Sequence, residues 1–209
     1  MVTTNVIEYI SSCWRGEGFE YLRPHNQFRR SIKDGFQSII VSVSSYDDEV
    51  LIDIHLGIRH NKIENMIYPV TKGLKEFESE SHTFLTSTGR IQEKLYHRYT
   101  IKDEKDLEFV RADLFDFMQT HGLEFLHKMK DLNYANTVFN TFSDYNNQLF
   151  YNPYTRAIRG LTVCKLVEGE NFTALKETYT EQLIQSGYPD SYFQSFNTLA
   201  LFLENYSMN

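Results

Sequence analysis

Residues 35–59 read GFQSIIVSVSSYDDEVLIDIHLGIR, and this stretch decides the fold. Aliphatic and polar residues alternate on both sides of the turn residues Tyr46, Asp47 and Asp48. Since successive side chains of a β-strand point to opposite faces, the alternation predicts two strands with one apolar and one polar face each. A short connection of this kind joins antiparallel neighbours, so the segment predicts a β-hairpin.

The same alternation continues on both sides of this hairpin. Asp34-Gly35 is a typical hairpin turn before it, and Gly89 is expected in a turn after it. Short connections of this kind favour a mostly antiparallel sheet. The further strand candidates are FEYLR (19–23), QFRRSIK (27–33), HTFLTST (82–88) and KLYHRYTI (94–101).

Helical spacing replaces the alternation at both ends of the chain. Apolar residues three and four apart predict a helix before Gly16, a short helix over 61–68 stopped by Pro69, and helices from Lys102 onward. The segment NTFSDYNNQLFYNPY (140–154) has no clear period and is expected to be an irregular connector.

These patterns together predict an α+β protein. An N-terminal helix packs on a mostly antiparallel sheet, and a C-terminal α-helical bundle follows. The expected domains are residues 1–101 and 102–209, or the two halves share one core.

Composition limits the possible partners. The formal net charge is -7, and residues 101–209 contain 9 Lys and Arg against 15 Asp and Glu. An acidic surface repels phosphate backbones, so nucleic-acid binding is not expected, whereas a basic protein partner would suit it. No run of 18 apolar residues is present, which predicts no membrane span.

The cysteines and the first residues predict a cytoplasmic protein. Cys13 and Cys164 have no metal-ligand spacing and form no disulfide framework, so both are expected to be buried thiols in a reducing compartment. The stretch MVTTNVIEYISSCW lacks the basic and apolar regions of a signal peptide.

The polar face of the strand at 50–59 holds the strongest candidate for a chemical site. Asp53, His55 and Arg59 share this face, and Arg29 on a neighbouring strand could join them. One interpretation is a pocket in which Arg29 and Arg59 hold an anion while His55, oriented by Asp53, moves a proton. The other is a face that meets water, as antiparallel sheets commonly have.

No motif fixes a reaction or a cofactor. Glu124 and His127 have the E-x-x-H spacing of di-iron bundles, but the chain holds no second such pair, so neither a metal site nor a cofactor is expected. The chain also lacks a G-x-S-x-G nucleophile elbow and glycine-rich phosphate loops.

A partner-binding surface is predicted in the helical half. Tyrosines among Asn and Ser are typical of recognition surfaces, and an acidic helix face suits a basic partner. The residues assigned to this surface are Tyr145, Tyr151, Tyr154, Glu168, Glu170, Glu177 and Glu181.

The order of elements over residues 5–100 carries a resemblance. A helix, Gly18-Phe19, two strands, Gly35-Phe36 and an aliphatic strand ending in Leu56-Gly57-Ile58-Arg59 resemble a family of small uncharacterised bacterial domains of unknown function. That resemblance implies an α+β fold and gives no information about activity. In size, charge and compartment the chain is also similar to the small acidic immunity proteins of bacterial toxin systems.

The sequence therefore favours a non-catalytic protein-interaction module of the immunity or adaptor type. The alternative is an enzyme or small-ligand-binding protein that uses the polar sheet face at Asp53, His55, Arg59 and Arg29.

Overall fold

A computed structural model describes residues 3–71 and 75–207, with side chains from residue 6 onward except at 75–77. In this part of the chain, six strands form one antiparallel sheet in the order β1-β2-β3-β4-β5, and β6 pairs with β4. The strands are β1 (Glu20–Leu22), β2 (Gln27–Ile32), β3 (Gly35–Ser45), β4 (Val50–His60), β5 (Phe84–Ser87) and β6 (Tyr99–Ile101).

Helices precede, interrupt and follow this sheet, as predicted for an α+β protein. A π-helical turn at Met118–Gly122 joins α4 to α5. The α-helices are α1 (Thr3–Ile10), α2 (Asn61–Thr71), α3 (Thr88–Ile91), α4 (Glu104–Phe117), α5 (Leu123–Lys128), α6 (Leu132–Asn140), α7 (Asp144–Gln148), α8 (Pro153–Leu166), α9 (Phe172–Gln185) and α10 (Asp190–Asn205).

The chain divides into two compact units, each made of two segments. The sheet unit contains residues 1–58 and 84–128, and the helical unit contains residues 59–83 and 129–209. The sequence predicts instead a single domain boundary after residue 101. Long-range packing explains the difference, because α4 packs with α1 and β6, and α2 packs with α8 and α10.

The sheet unit is organised by the alternation of β3 and β4. Ile39 and Val41 on β3 and Ile52, Ile54 and Leu56 on β4 are buried in a core that α1 and α4 also supply. The predicted apolar face of the hairpin is therefore confirmed. On the opposite face Ser42 and Ser44 are exposed.

The helical unit has its own core, in which α8 and α9 approach closely at Gly160. A Cβ atom at this position would lie 2.2 Å from the hydroxyl of Tyr179 and 2.7 Å from Oδ1 of Asn140. The Tyr179 hydroxyl is hydrogen-bonded to Asn140 Oδ1 at 2.6 Å, so the neighbours of Gly160 are held in place.

Three local predictions differ from the structure. Residues 94–98 are not a strand, because Ser87 caps α3 and the chain then turns back on this helix. His97 packs directly against Gly89, where an added Cβ would lie 2.6 Å from the Cβ of His97. Pro69 does not stop α2 but lies inside its last turn, and the helix runs on to Thr71 although the proline has no N–H to donate to the preceding turn. The expected irregular connector contains α7, which Ser143 caps.

Both cysteines are free and buried, as expected. None of the helices within residues 3–71 and 75–207 has both the length and the apolar character needed to cross a bilayer.

The contact at Gly160 predicts a sensitive position. Gly160→Ala should lower the free energy of unfolding by about 3 kcal/mol, because the new methyl group overlaps the Tyr179 hydroxyl. Chemical denaturation measures this loss. Combining it with Tyr179→Phe removes the closest overlap, so the double variant should lose less stability than the sum of the single changes. A strictly additive loss would contradict this account of the contact.

Candidate functional site

The structure brings Asp53 and His55 together on the half-covered face of β4, both of intermediate exposure. Oδ2 of Asp53 forms an ion pair with Nε of Arg98 at 2.8 Å. His55 lies opposite Ser87 of β5. Residues after β5 therefore cover part of the polar face of β4, for which the sequence left open a pocket or a water-exposed surface.

Electrostatics keep the His55 imidazole neutral at neutral pH. Burial lowers its pKa below the ordinary value, Asp53 opposes this shift, and Arg90 and Arg98 reinforce it. A neutral imidazole is the form that a general base requires.

The two arginines predicted to bind an anion lie in other surroundings. Arg29, on β2, stacks with its guanidinium carbon 3.8 Å from the ring centroid of Phe36 and donates to Gln27. Arg59 is buried and belongs to the helical unit, where it donates to Asn61 at 2.7 Å and to the carbonyl of Ser81 at 2.9 Å. The enzyme or ligand-binding interpretation of these four residues stays a prediction.

A cavity of about 640 Å³ lies in the helical unit and was not predicted from the sequence. We call it the acidic cavity, because its described lining contains three glutamates and one arginine. These lining residues are Glu64, Ile67, Tyr68, Thr71, Glu78, Glu80, Ser81, Asn152, Tyr154, Thr155, Ile158, Arg159 and Tyr192.

A buried ion pair forms part of the cavity wall. Arg159 donates from Nε to Oε1 of Glu64 at 3.0 Å and from Nη2 to Oε2 at 2.9 Å, which is a bidentate arrangement. The exposed fractions of the two side chains are 14% and 3%. Burial alone would raise the pKa of Glu64, but Arg159 together with hydrogen bonds from Thr83 and Ser81 brings the pKa below its ordinary value.

Tyrosines form another part of the wall. Tyr154 and Tyr192 pack edge-to-face with ring centroids 4.7 Å apart. The ring centroid of Tyr188 lies 5.2 Å from that of Tyr192. Tyr188 fixes the start of α8 by donating its hydroxyl to Asn152 at 2.9 Å. Because burial raises the pKa of Tyr154, its phenol is protonated at neutral pH.

The residues predicted for the partner surface are only partly brought together. Tyr154 is buried and lines the acidic cavity, whereas Tyr145 and Tyr151 are exposed by 38% and 52%. All four glutamates are exposed. Glu177 and Glu181 share one face of α9, being four residues apart, and Glu168 and Glu170 lie in the turn before α9.

The acidic surplus is spread over both compact units. The sheet unit contains 12 Lys and Arg against 16 Asp and Glu, and the helical unit contains 9 against 12. The contrast between the two sequence halves thus disappears, because the acid-rich α4 belongs to the sheet unit. Any charged partner would therefore be attracted by local groups of acidic side chains, since neither compact unit is much more acidic than the other.

The E-x-x-H pair lies on a solvated helix face, as expected. Glu124 and His127 are exposed, and Glu124 pairs with Lys128 at 2.7 Å. In the part of the chain that the structure describes, no group of three or more His, Cys, Asp and Glu side chains is placed to hold a metal ion.

The chain matches no family model, no curated protein and no solved structure. Its site must therefore be interpreted from geometry. Glu64 and Arg159 could have been noticed as charged residues within the apolar pattern of two helices, but the sequence does not say that they pair.

Loss of the buried pair should be costly. Arg159→Met leaves the Glu64 carboxylate buried without its cation and should lower the free energy of unfolding by about 3–5 kcal/mol at neutral pH. Because the pKa of Glu64 is lowered, the contribution of the pair should disappear as the pH falls through that pKa. Chemical denaturation against pH measures both effects.

The exposed pair Lys176–Glu204 provides the control for this experiment. Lys176→Met should cost less than about 1 kcal/mol. Adding Glu64→Gln to Arg159→Met should restore part of the stability, and equal losses for the buried and the exposed pair would contradict the assignment.

His55 should make stability depend on pH. The unfolded chain binds the proton with an ordinary pKa of 6.5, and the folded protein binds it only at lower pH. Unfolding therefore becomes easier as the pH falls below 6.5. His55→Gln should reduce this loss in denaturation experiments from about pH 7 to about pH 5. An unchanged slope in the His55 variant would be inconsistent with a lowered pKa.

Proposed function

We propose that this protein is a non-catalytic interaction module, of the immunity or adaptor type found in bacteria, that binds a basic segment of a partner protein. The acidic cavity carries this proposal. Its described lining combines Glu78 and Glu80 with the neutralised pair Glu64–Arg159 and with tyrosines.

A cationic side chain fits the chemistry of this cavity. The charge of Arg159 is balanced by Glu64, so the arginine does not repel an incoming cation as a lone charge would. Glu78 and Glu80 supply acceptors, and tyrosine rings attract cations through their faces. A volume of about 640 Å³ is ample for one lysine or arginine side chain.

Acidic groups outside the cavity support the same kind of partner. Exposed Glu177 and Glu181 on α9 add negative charge that accelerates the approach of a basic surface. Exposed Tyr145 and Tyr151 offer further contact area of the type that recognition surfaces use. Binding through such contacts does not require that the protein catalyse a reaction on its partner, which agrees with the absence of a sequence motif for catalysis.

A pair of peptides tests the proposal. A short arginine-containing peptide should bind about tenfold more tightly than the same peptide with citrulline in place of arginine, because only the charged form pairs with the glutamates. Isothermal titration calorimetry measures both affinities. The double variant Glu78→Gln and Glu80→Gln should abolish the preference for arginine.

The matched control is Glu177→Gln with Glu181→Gln, which removes two charges from α9 and leaves the cavity intact. This variant should keep the preference for arginine. Loss of preference in the α9 variant alone would refute the cavity as the binding site, and equal binding of both peptides to the native protein would refute a basic partner.

A further inference from the structure

A second, smaller cavity in the helical unit has the opposite electrical character. Its volume is about 230 Å³, and one of its described lining residues is charged, Arg156. The others offer amide and hydroxyl groups or apolar surface. These lining residues are Asn147, Phe150, Pro153, Arg156, Gln182, Gln185 and Ser186.

Arg156 is held rigidly at the wall of this cavity. Its exposed fraction is 5%. The guanidinium carbon lies 4.6 Å from the ring centroid of Phe142 and 4.5 Å from that of Phe150. Nε donates to the carbonyl of Phe139 at 2.8 Å and Nη2 to that of Thr141 at 2.9 Å.

The remaining hydrogen bond joins the guanidinium to another residue of the cavity lining. Nη1 donates to Oδ1 of Asn147 at 2.7 Å, and Asn147 itself lines the cavity. A guanidinium carries five N–H donors, and besides these three bonds the Tyr179 hydroxyl is a further hydrogen-bond partner, which leaves one donor for a ligand.

The charge of Arg156 is not paired with any carboxylate of the described residues. Within the described residues no carboxylate forms an ion pair with it, in contrast to Arg159, three residues further along α8. Burial lowers its pKa and Tyr179 opposes the shift, but an arginine stays protonated in proteins. Neutral carbonyls and aromatic rings offset only part of the cost of burying a full charge.

The surroundings add to the positive potential. Pro153 is the first residue of α8, so the positive end of a 14-residue helix meets the cavity. The C-terminal end of α9 supplies Gln185 and opposes this dipole, but a helix end is equivalent to only about half a charge. The amides of Gln182 and Gln185 can donate hydrogen bonds to an anion.

We propose that this cavity binds a small oxyanion, a carboxylate or a phosphate group, as the missing counter-ion of Arg156. The volume lies below the range of about 300–1,000 Å³ usual for drug-sized ligands, so the ligand is a small acid or the acidic end of a larger molecule. This site is separate in its lining residues from the acidic cavity, and it does not depend on the proposed function.

Binding of simple anions tests the site directly. Sodium phosphate and sodium acetate are titrated into the full chain at constant ionic strength, with chloride as the reference salt. Saturable shifts of the side-chain amide signals of Asn147, Gln182 and Gln185 are expected in NMR spectra, together with a higher melting temperature. The oxyanion with the lower Kd identifies the ligand class as phosphate or carboxylate.

Gln182→Glu provides the decisive variant, because it places a carboxylate inside the same cavity. It should raise the melting temperature in chloride, since Arg156 gains a partner, and it should weaken oxyanion binding about tenfold or more through like-charge repulsion. Gln194→Glu makes the same change on the exposed surface of α10 and should alter neither property.

Two results would overturn the proposal. One is the absence of saturable binding by both oxyanions to the native chain. The other is binding that Gln182→Glu leaves unchanged. In either case Arg156 serves only to hold the carbonyls of Phe139 and Thr141 beside α8.

Discussion

The sheet depends on the alternation of buried and half-buried side chains over residues 50–56 of β4. This strand pairs with β5 and β6 and buries Ile52, Ile54 and Leu56 at an exposed fraction of 2% or less. A shift of one residue in its pairing would turn these side chains out of the core and bring Asp53 and His55 into it. Because that exchange is so unfavourable, β4 fixes which polar groups remain at the surface of the sheet unit.

Helix α8 of the helical unit contains two arginines, of which Arg156 is buried and Arg159 is of intermediate exposure. Arg159 is balanced by the carboxylate of Glu64, whereas Arg156 is held by carbonyl oxygens and by two phenylalanine rings. A buried charge of either kind is stable only with compensation from its surroundings. Arg159 and its partner Glu64 lie in the wall of the acidic cavity, and Arg156 lies in the wall of the smaller cavity. The two proposed sites of opposite preference thus share one helix.

The periodicity of the sequence predicted most of the secondary-structure elements and few of the tertiary contacts. The helices at the C-terminal end and the central hairpin follow from spacing, since burial of one face is a repeated local requirement. The sheet pattern ends after β5 because Ser87 caps α3, and Gly89 lies within this short helix instead of the expected turn. The division into units could not be read from the chain, since segments far apart in sequence pack together in each.

The sequence by itself determined the α+β class, the apolar face of β4 and the acidic exposed face of α9, because each is a property of residues close together in the chain. Only the tertiary structure decided the partners of the buried charges. Glu64 and Arg159 are 95 positions apart, and Arg59 shares the alternation of Asp53 and His55 but donates to Ser81. A pattern shows which face is buried, whereas the partner of a buried charge depends on which distant segment packs against it.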